Sequence, residues 1–187
     1  MDSRTFLDIL HVAERLKNET RHCTTSRGRP ESVAEHSWRL ALAATFLSDE
    51  FPGADTNKVV RMCLIHDLGE CFTGDVPCFA KDAADEEKER SALSQWVASL
   101  PSPYCRELAA LYDEMNALET TEAKLFKALD QLEAVIQHNE SPISTWEPHE
   151  YELNRTYAYD TAAFSDYLVR LRREIRRETE EKIEQGK

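Results

Sequence analysis

A chain of 187 residues with 23 Lys and Arg against 35 Asp and Glu carries a formal net charge of −12. The length suits one domain with a sizeable core, and the charge argues against nucleic acid or an anionic membrane as partner, because phosphates are gripped by clustered Lys and Arg. No apolar run of about 18 residues exists to span a bilayer, and the opening MDSRTFLDIL lacks the basic and apolar regions of a signal peptide; the expected address is the cytoplasm.

Five glycines and apolar residues recurring at three and four positions predict an all-α fold of about six or seven helices. The first helix is expected over residues 4–18, with Phe6, Leu7, Leu10, Ala13 and Leu16 on one stripe, followed by a polar loop through Arg21, Arg27, Gly28, Arg29 and Pro30. Ser32 and Glu35 form the S-x-x-E box that opens a second helix, whose Val33, His36, Leu40, Ala44 and Leu47 share a face. A third helix begins near Asp55 and carries Val59, Met62, Ile65 and His66 up to the turn Thr73-Gly74-Asp75.

Further helices are expected over 82–100, from Pro103 to Leu118 and over 121–138, where Leu125, Leu129, Leu132 and Ile136 form an apolar side. A connector with two prolines covers 141–148. The last segment places Phe164, Leu168, Leu171 and Ile175 at helical spacing before the charged tail ETEEKIEQGK. Arg172, Arg173, Arg176 and Arg177 followed by Glu178, Glu180 and Glu181 read as a solvated face with intrahelical pairs. Cys23, Cys63, Cys71, Cys78 and Cys105 are odd in number and form no C-x-x-C pair, so they are read as structural thiols.

Four residues resist explanation by packing: His36 on an apolar helix face, the adjacent pair His66 and Asp67, and Asp130 amid Leu125, Phe126, Leu129 and Leu132. Buried carboxylates cost several kcal/mol unless paired or metal-bound. Two imidazoles and two carboxylates suit a divalent transition metal that keeps coordination sites for water and substrate. Any one of the four alone is more simply a satisfied core histidine or a solvated aspartate; together they point to a hydrolytic metal centre.

The strings PESVAEHSWRLALAA, LIHDLGECFTGDVP and AKLFKALDQLEAVIQ resemble the signatures of HD-domain phosphohydrolases, in particular the bacterial 5′-deoxynucleotidase group and its relatives. The order H, HD, D carries the resemblance, which extends over roughly residues 12–140; the C-terminal helices, about 148–187, complete a single-domain helical bundle. The resemblance implies that His36, His66, Asp67 and Asp130 hold one divalent ion, cobalt, manganese or another transition metal, with magnesium as an alternative. It assigns proton handling to Glu70 and Asp75, with Asp75 also contacting substrate. A helix continuing past His66 would set Glu70 over the same site.

Arg21 matches the family's phosphate-binding arginine, and Arg29 and Lys81 are weaker candidates. His22 stands where the deoxynucleotidase has a tryptophan shaping the sugar pocket, which bears on deoxyribose selectivity. The implied reaction is release of phosphate from (deoxy)nucleoside 5′-monophosphates, in a homodimer. Binuclear relatives are disfavoured because no histidine lies between Asp67 and Asp130. The alternatives are a hydrolase of another small phosphoester, a non-catalytic metal- and nucleotide-binding sensor, or a helical interaction protein.

Overall fold

The structure, a computed structural model, describes residues 1–77 and 79–186; Cys78 lies outside them. Helix dominates the described residues, in agreement with the sequence. The elements that frame the site are α2 (Val33–Phe46), α3 (Thr56–Ile65) and α7 (Thr121–Glu140), which pack on one another. Leu40, Met62, Val59, Cys63, Leu129 and Leu132 close the core between them. Each of the larger side chains contributes about 1.5–3 kcal/mol through burial. Ser32 caps α2 by accepting from Glu35 N, and Glu35 accepts in return from Ser32 N, the reciprocal box expected from S-x-x-E. Asp55 and Thr120 cap α3 and α7 in the same manner, each accepting from a backbone N–H three residues on.

The expected polar loop is instead an antiparallel pair, β1 (Thr20–Thr24) with β2 (Pro30–Ser32). No apolar alternation announces it; tertiary bonds make it. Gln137 Nε2 and Ser141 Oγ, at the end of α7, both donate to the Thr24 carbonyl, at 2.7 and 2.6 Å. The tip closes with Thr25 N donating to Arg29 O at 2.7 Å, and Gly28 takes φ +77°.

The first helix is shorter than expected: α1 (Ser3–Glu14) passes into a 3-10 turn over Arg15–Lys17. Its stripe is largely uncovered. Phe6, Leu7 and Leu10 are exposed, and Leu16 alone of the five is fully buried, against Val33, Leu68 and Cys71.

The chain does not stay helical past His66. Residues 66–69 form turns, and α4 (Glu70–Thr73) is a separate short helix. The Tyr112 hydroxyl donates to Ile65 O at 2.6 Å, satisfying a carbonyl freed where α3 ends. Gly74 closes α4 with φ +80° and ψ 164°, a conformation open essentially to glycine alone, so the turn leading to Asp75 depends on it. α5 (Ala83–Ser99) and α6 (Tyr104–Ala117) pack together beside α7, both near their expected bounds.

Beyond the connector, α8 (Glu150–Thr156) and α9 (Tyr159–Ala162) precede α10 (Asp166–Gln185), which absorbs most of the charged tail and buries Thr179 and Ile183. Arg172 corrects the solvated-face reading. It is 0% exposed, donates to Tyr157 O and Asn154 O at 2.7 Å each, and lies over the Tyr159 ring at 4.6 Å. The guanidinium thereby pins the α8–α9 corner to α10. Arg172→Ala is expected to cost about 3 kcal/mol, because two buried carbonyls lose a charged donor, and to lower Tm by roughly 6–12 °C for a chain of this size. A thermal scan showing no shift would contradict that role.

No helix among the described residues is long and apolar enough to cross a membrane. The thiols of Cys23, Cys63 and Cys71 are buried and pushed up in pKa by that burial, that of Cys23 to about 12 and that of Cys71 to about 11, as inert packing thiols should be.

Candidate metal centre and substrate cavity

Three helices deliver the four singled-out residues to one point. His36 comes from the buried face of α2, His66 and Asp67 from the turn that directly follows α3, and Asp130 from the middle of α7. His36 Nε2 stands 3.3 Å from Asp130 Oδ1 and 4.0 Å from Asp67 Oδ2; His66 Nε2 stands 3.0 Å from Asp67 Oδ2 and 3.6 Å from Asp130 Oδ1. Donors each about 2.1 Å from a common ion lie about 3–4 Å from one another. The ligand atoms of His36, His66 and Asp67 lie within 4.8 Å of one another, as three donors to one ion would, and Asp130 Oδ1 stands within 3.6 Å of both histidines as the fourth candidate.

The outward nitrogens settle the tautomers. His36 Nδ1–H donates to Glu133 Oε2 at 2.5 Å, and His66 Nδ1–H donates to the Cys63 carbonyl at 2.9 Å. With Nδ1–H so engaged, the neutral form of each ring has its lone pair on Nε2, facing the centre, the form in which histidine binds a metal. His66 Nε2 is buried without a hydrogen bond. Burial alone would lower the His66 pKa, yet Asp67 and Asp130 raise it to about 10. Asp67, despite burial, is held down to about 2 by His66. Asp130 is likewise held well below the usual carboxylate range, with Lys127 and the two histidines outweighing burial. The centre thus demands a cation, and the donor set suits a divalent ion better than a proton.

Around this centre, acidic and basic groups alternate. Arg21 on β1 reaches Glu31 Oε2 at 3.4 Å and Asp67 Oδ2 at 3.9 Å. Glu31 is buried and raised to about 7 by that burial and by Glu133, with Arg21 opposing. Glu70, also buried, is raised to about 9 by burial, then by Asp67 and Asp75. Asp75 is raised by burial as well, with Arg21 opposing.

A cavity of about 310 Å³ opens beside these groups, with Arg21, Asp67, Glu70, Asp75, Lys81 and Asp130 in its lining. The volume falls within the range of small-ligand sites. Arg21, His22, Asp67, Glu70, Asp75 and Asp130 line this cavity, Glu70 by way of the short α4, and His36 and His66 stand at the centre beside it. Lys81 is drawn toward Glu89 at 2.5 Å, while Arg29 lies outside, paired with Glu35 on the surface.

The sequence reading missed Glu133, which orients His36, Glu31, which anchors Arg21, and the far wall of His138, Glu150 and Asn154. Glu133 carried a usable signal: it lies three residues after Asp130 in the apolar run of α7, so it shares that face. Glu133→Ala is expected to weaken metal affinity by about 10–100-fold by removing the acceptor that fixes His36; unchanged affinity in a competition titration with a chelating dye would refute this.

A model of the HD domain matches residues 13–171. Human 5′-deoxynucleotidase HDDC2 is 35% identical over 143 residues, covering 74% of this chain and 69% of that protein. A predicted metal-dependent phosphohydrolase from Magnetospirillum magnetotacticum MS-1 superposes with TM-score 0.79 at 29% identity, over 96% of this chain and 93% of that one. The cyanophage S-2L HD phosphohydrolase DatZ, solved with dA and one catalytic Zn²⁺, shares the fold at TM-score 0.60 and 23% identity, over 94% and 96%. A family match over most of the length, set on helices that bring the H, HD and D residues to one point, makes this chain a member of the HD-domain family.

Proposed function

We propose that this chain is a metal-dependent phosphohydrolase that releases phosphate from nucleoside 5′-monophosphates, with one divalent transition-metal ion held by His36, His66, Asp67 and Asp130. The observation that carries the reading is the convergence of four donor side chains, the outer nitrogens of both histidines already engaged, beside a cavity large enough for a small ligand. The 35% identity to a protein named 5′-deoxynucleotidase supports the substrate class. A bound ion would lower the pKa of a water and polarise a phosphoryl oxygen.

The chain's own groups do the rest. Arg21, braced by Glu31, offers its guanidinium to non-bridging phosphoryl oxygens and offsets charge built up in the transition state. Glu70 carries a proton at neutral pH and can yield it to the departing O5′. Asp75, at the cavity wall beside Arg21, orients the attacking water or the ester oxygen. Burial of Glu70 and Arg21 keeps bulk water from competing.

The same reading covers a single domain acting in the cytoplasm as a homodimer. Trp38, Leu42 and Phe46 form an exposed stripe along α2, and Phe6, Leu7 and Leu10 another on α1, apolar surface of the kind that pairs subunits. The deciding experiment is phosphate release from a panel of ribo- and deoxyribonucleoside 5′-monophosphates, with cobalt or manganese restored after chelation. Release that depends on the metal is expected; metal bound without release from any nucleotide would overturn the reading in favour of a sensor or another ester.

A further inference from the structure

The cavity beside the metal centre is acidic for a site that takes a phosphate. Asp67, Glu70, Asp75 and Asp130 all line it, and Arg21 is shared with the buried Glu31 at 3.4 Å. Two further cations, Lys81 and Lys127, belong to the same lining. Lys127 Nζ is engaged by Asp130 Oδ2 at 2.8 Å, a member of the metal set. Lys81 is held from outside the cavity, by a carboxylate on another helix.

Lys81 lies between α4 and α5, yet its backbone is fixed on both sides. Ala80 N and Lys81 N donate to the Pro77 carbonyl at 2.8 and 3.0 Å, and the next residue, Asp82, caps α5 by accepting from Ala84 N and Asp85 N. The Lys81 ammonium donates to Glu89 Oε2, two turns into α5, at 2.5 Å. The two side chains are 22% and 17% exposed, so solvent ions screen the pair little. Glu89 reaches this position by crossing directly over Gly69. A Cβ on residue 69 would stand 2.6 Å from Glu89 Cγ and 2.8 Å from its Oε1. Gly69 has ordinary helical angles, φ −58° and ψ −36°, so the position needs space and not conformational freedom. In sequence it separates the ligand Asp67 from Glu70 by one residue on each side of the pair Leu68-Gly69. A second cavity, of about 870 Å³, is framed by α5, α6 and α7; Lys81 lines both cavities, and among the described residues Glu89 lines the second alone. Burial raises the Asp75 carboxyl, and Arg21 and Lys81 both oppose that rise, so the fields of the two cations reach one carboxylate of the catalytic cavity.

We propose that Lys81 is a second phosphate-binding cation of the site and that Glu89 is the residue that positions it, by an approach that the missing side chain at residue 69 leaves open. This rests on the phosphohydrolase reading above and deepens it. Arg21 offers phosphoryl oxygens a planar fork, whereas an ammonium is a compact charge on a flexible stem and must be held to act at a fixed point. An ammonium has three donors, and Glu89 takes one of them. Because Glu89 orders the stem before substrate arrives, binding does not have to.

The test uses the cobalt-loaded full chain, with inorganic phosphate titrated by calorimetry and a nucleoside 5′-monophosphate as substrate. Lys81→Met keeps the stem and removes the charge. Its dissociation constant for phosphate is expected to rise about tenfold, the scale of one lost charge-assisted hydrogen bond, with cobalt content unchanged. Glu89→Ala, which suits a helix, should weaken phosphate about threefold, the scale of ordering one long side chain. In both variants the loss should appear in KM, with kcat held within about twofold. Added to Lys81→Met, Glu89→Ala should cost nothing more, because it acts through a charge already gone; a carboxylate that merely braced α5 would add its loss in full. No phosphate binding by the unaltered chain, unchanged affinity in Lys81→Met, loss of cobalt along with phosphate, or full additivity in the double variant would overturn the proposal. Lys81→Met decides the binding role even if the double variant fails to fold. Phosphate titration needs no turnover: absence of release from any monophosphate sinks the nucleotidase reading, and the phosphate affinities still decide Lys81.

Discussion

Asp67→Ala is expected to abolish stoichiometric binding of the divalent ion and to cut phosphate release by at least about 10³-fold, the equivalent of about 4 kcal/mol of barrier. The size follows from the several tasks this carboxylate performs at once. It is 3.0 Å from His66 Nε2 and 4.0 Å from His36 Nε2, and a third neighbour, Arg21 Nη1, stands at 3.9 Å. Without it, two buried imidazoles and a guanidinium crowd together with less charge to balance them. Asp67→Asn separates these effects: shape is kept, one ligand charge is lost, and metal content by atomic emission should drop while the fold persists. Full turnover in either variant would remove Asp67 from the ligand set.

Glu70→Gln should behave differently. Metal content should stay intact, while kcat falls by about 10²–10³-fold, the scale of a lost proton donor. The pH profile supplies the sign. The carboxyl is raised to about 9 by burial and by its acidic neighbours Asp67 and Asp75, so the active, protonated form persists through neutral pH and is lost as pH rises through its pKa. A cation at the adjacent centre favours the charged form and draws this limb below about 9. kcat/KM is therefore expected to decline on the alkaline side in the unaltered chain, with that limb missing in Glu70→Gln. An identical alkaline limb in the variant would assign the proton to another group.

How much of this was legible before the fold is clearest from individual residues. His36 and Asp130 stood out because helical periodicity places them on apolar faces, where an unpaired polar group is costly; the structure brings both to the same point. The capping box at Ser32 and the starts at Asp55 and Asp82 were readable because caps are local chemistry. The hairpin was not, since TRHCT carries no alternating apolar pattern and its pairing depends on donors more than 100 residues away in Gln137 and Ser141. α8 and α9 are too short for a periodic signal to accumulate. Arg172 and Glu150 were hidden by composition: each lies in a charged stretch that looks solvated, and only tertiary packing turns it inward. Arg172 shares a helical face with Leu168, Ile175, Thr179 and Ile183, so periodicity carried to the end of α10 would have shown it.

The hairpin that presents Arg21 has only two strands, and a pair of that size is marginal in water by itself. Its attachment to the bundle runs through the Thr24 carbonyl, the Glu19 carbonyl that accepts from Val33 N at 3.0 Å, and the arginine's own carboxylate neighbours. The backbone amides of β1 should therefore exchange with deuterated solvent through local opening, well before those of α3 and α7. Ligands that contact Arg21 add a further tether, so slowed exchange at residues 20–24 would report occupancy without any chemistry taking place.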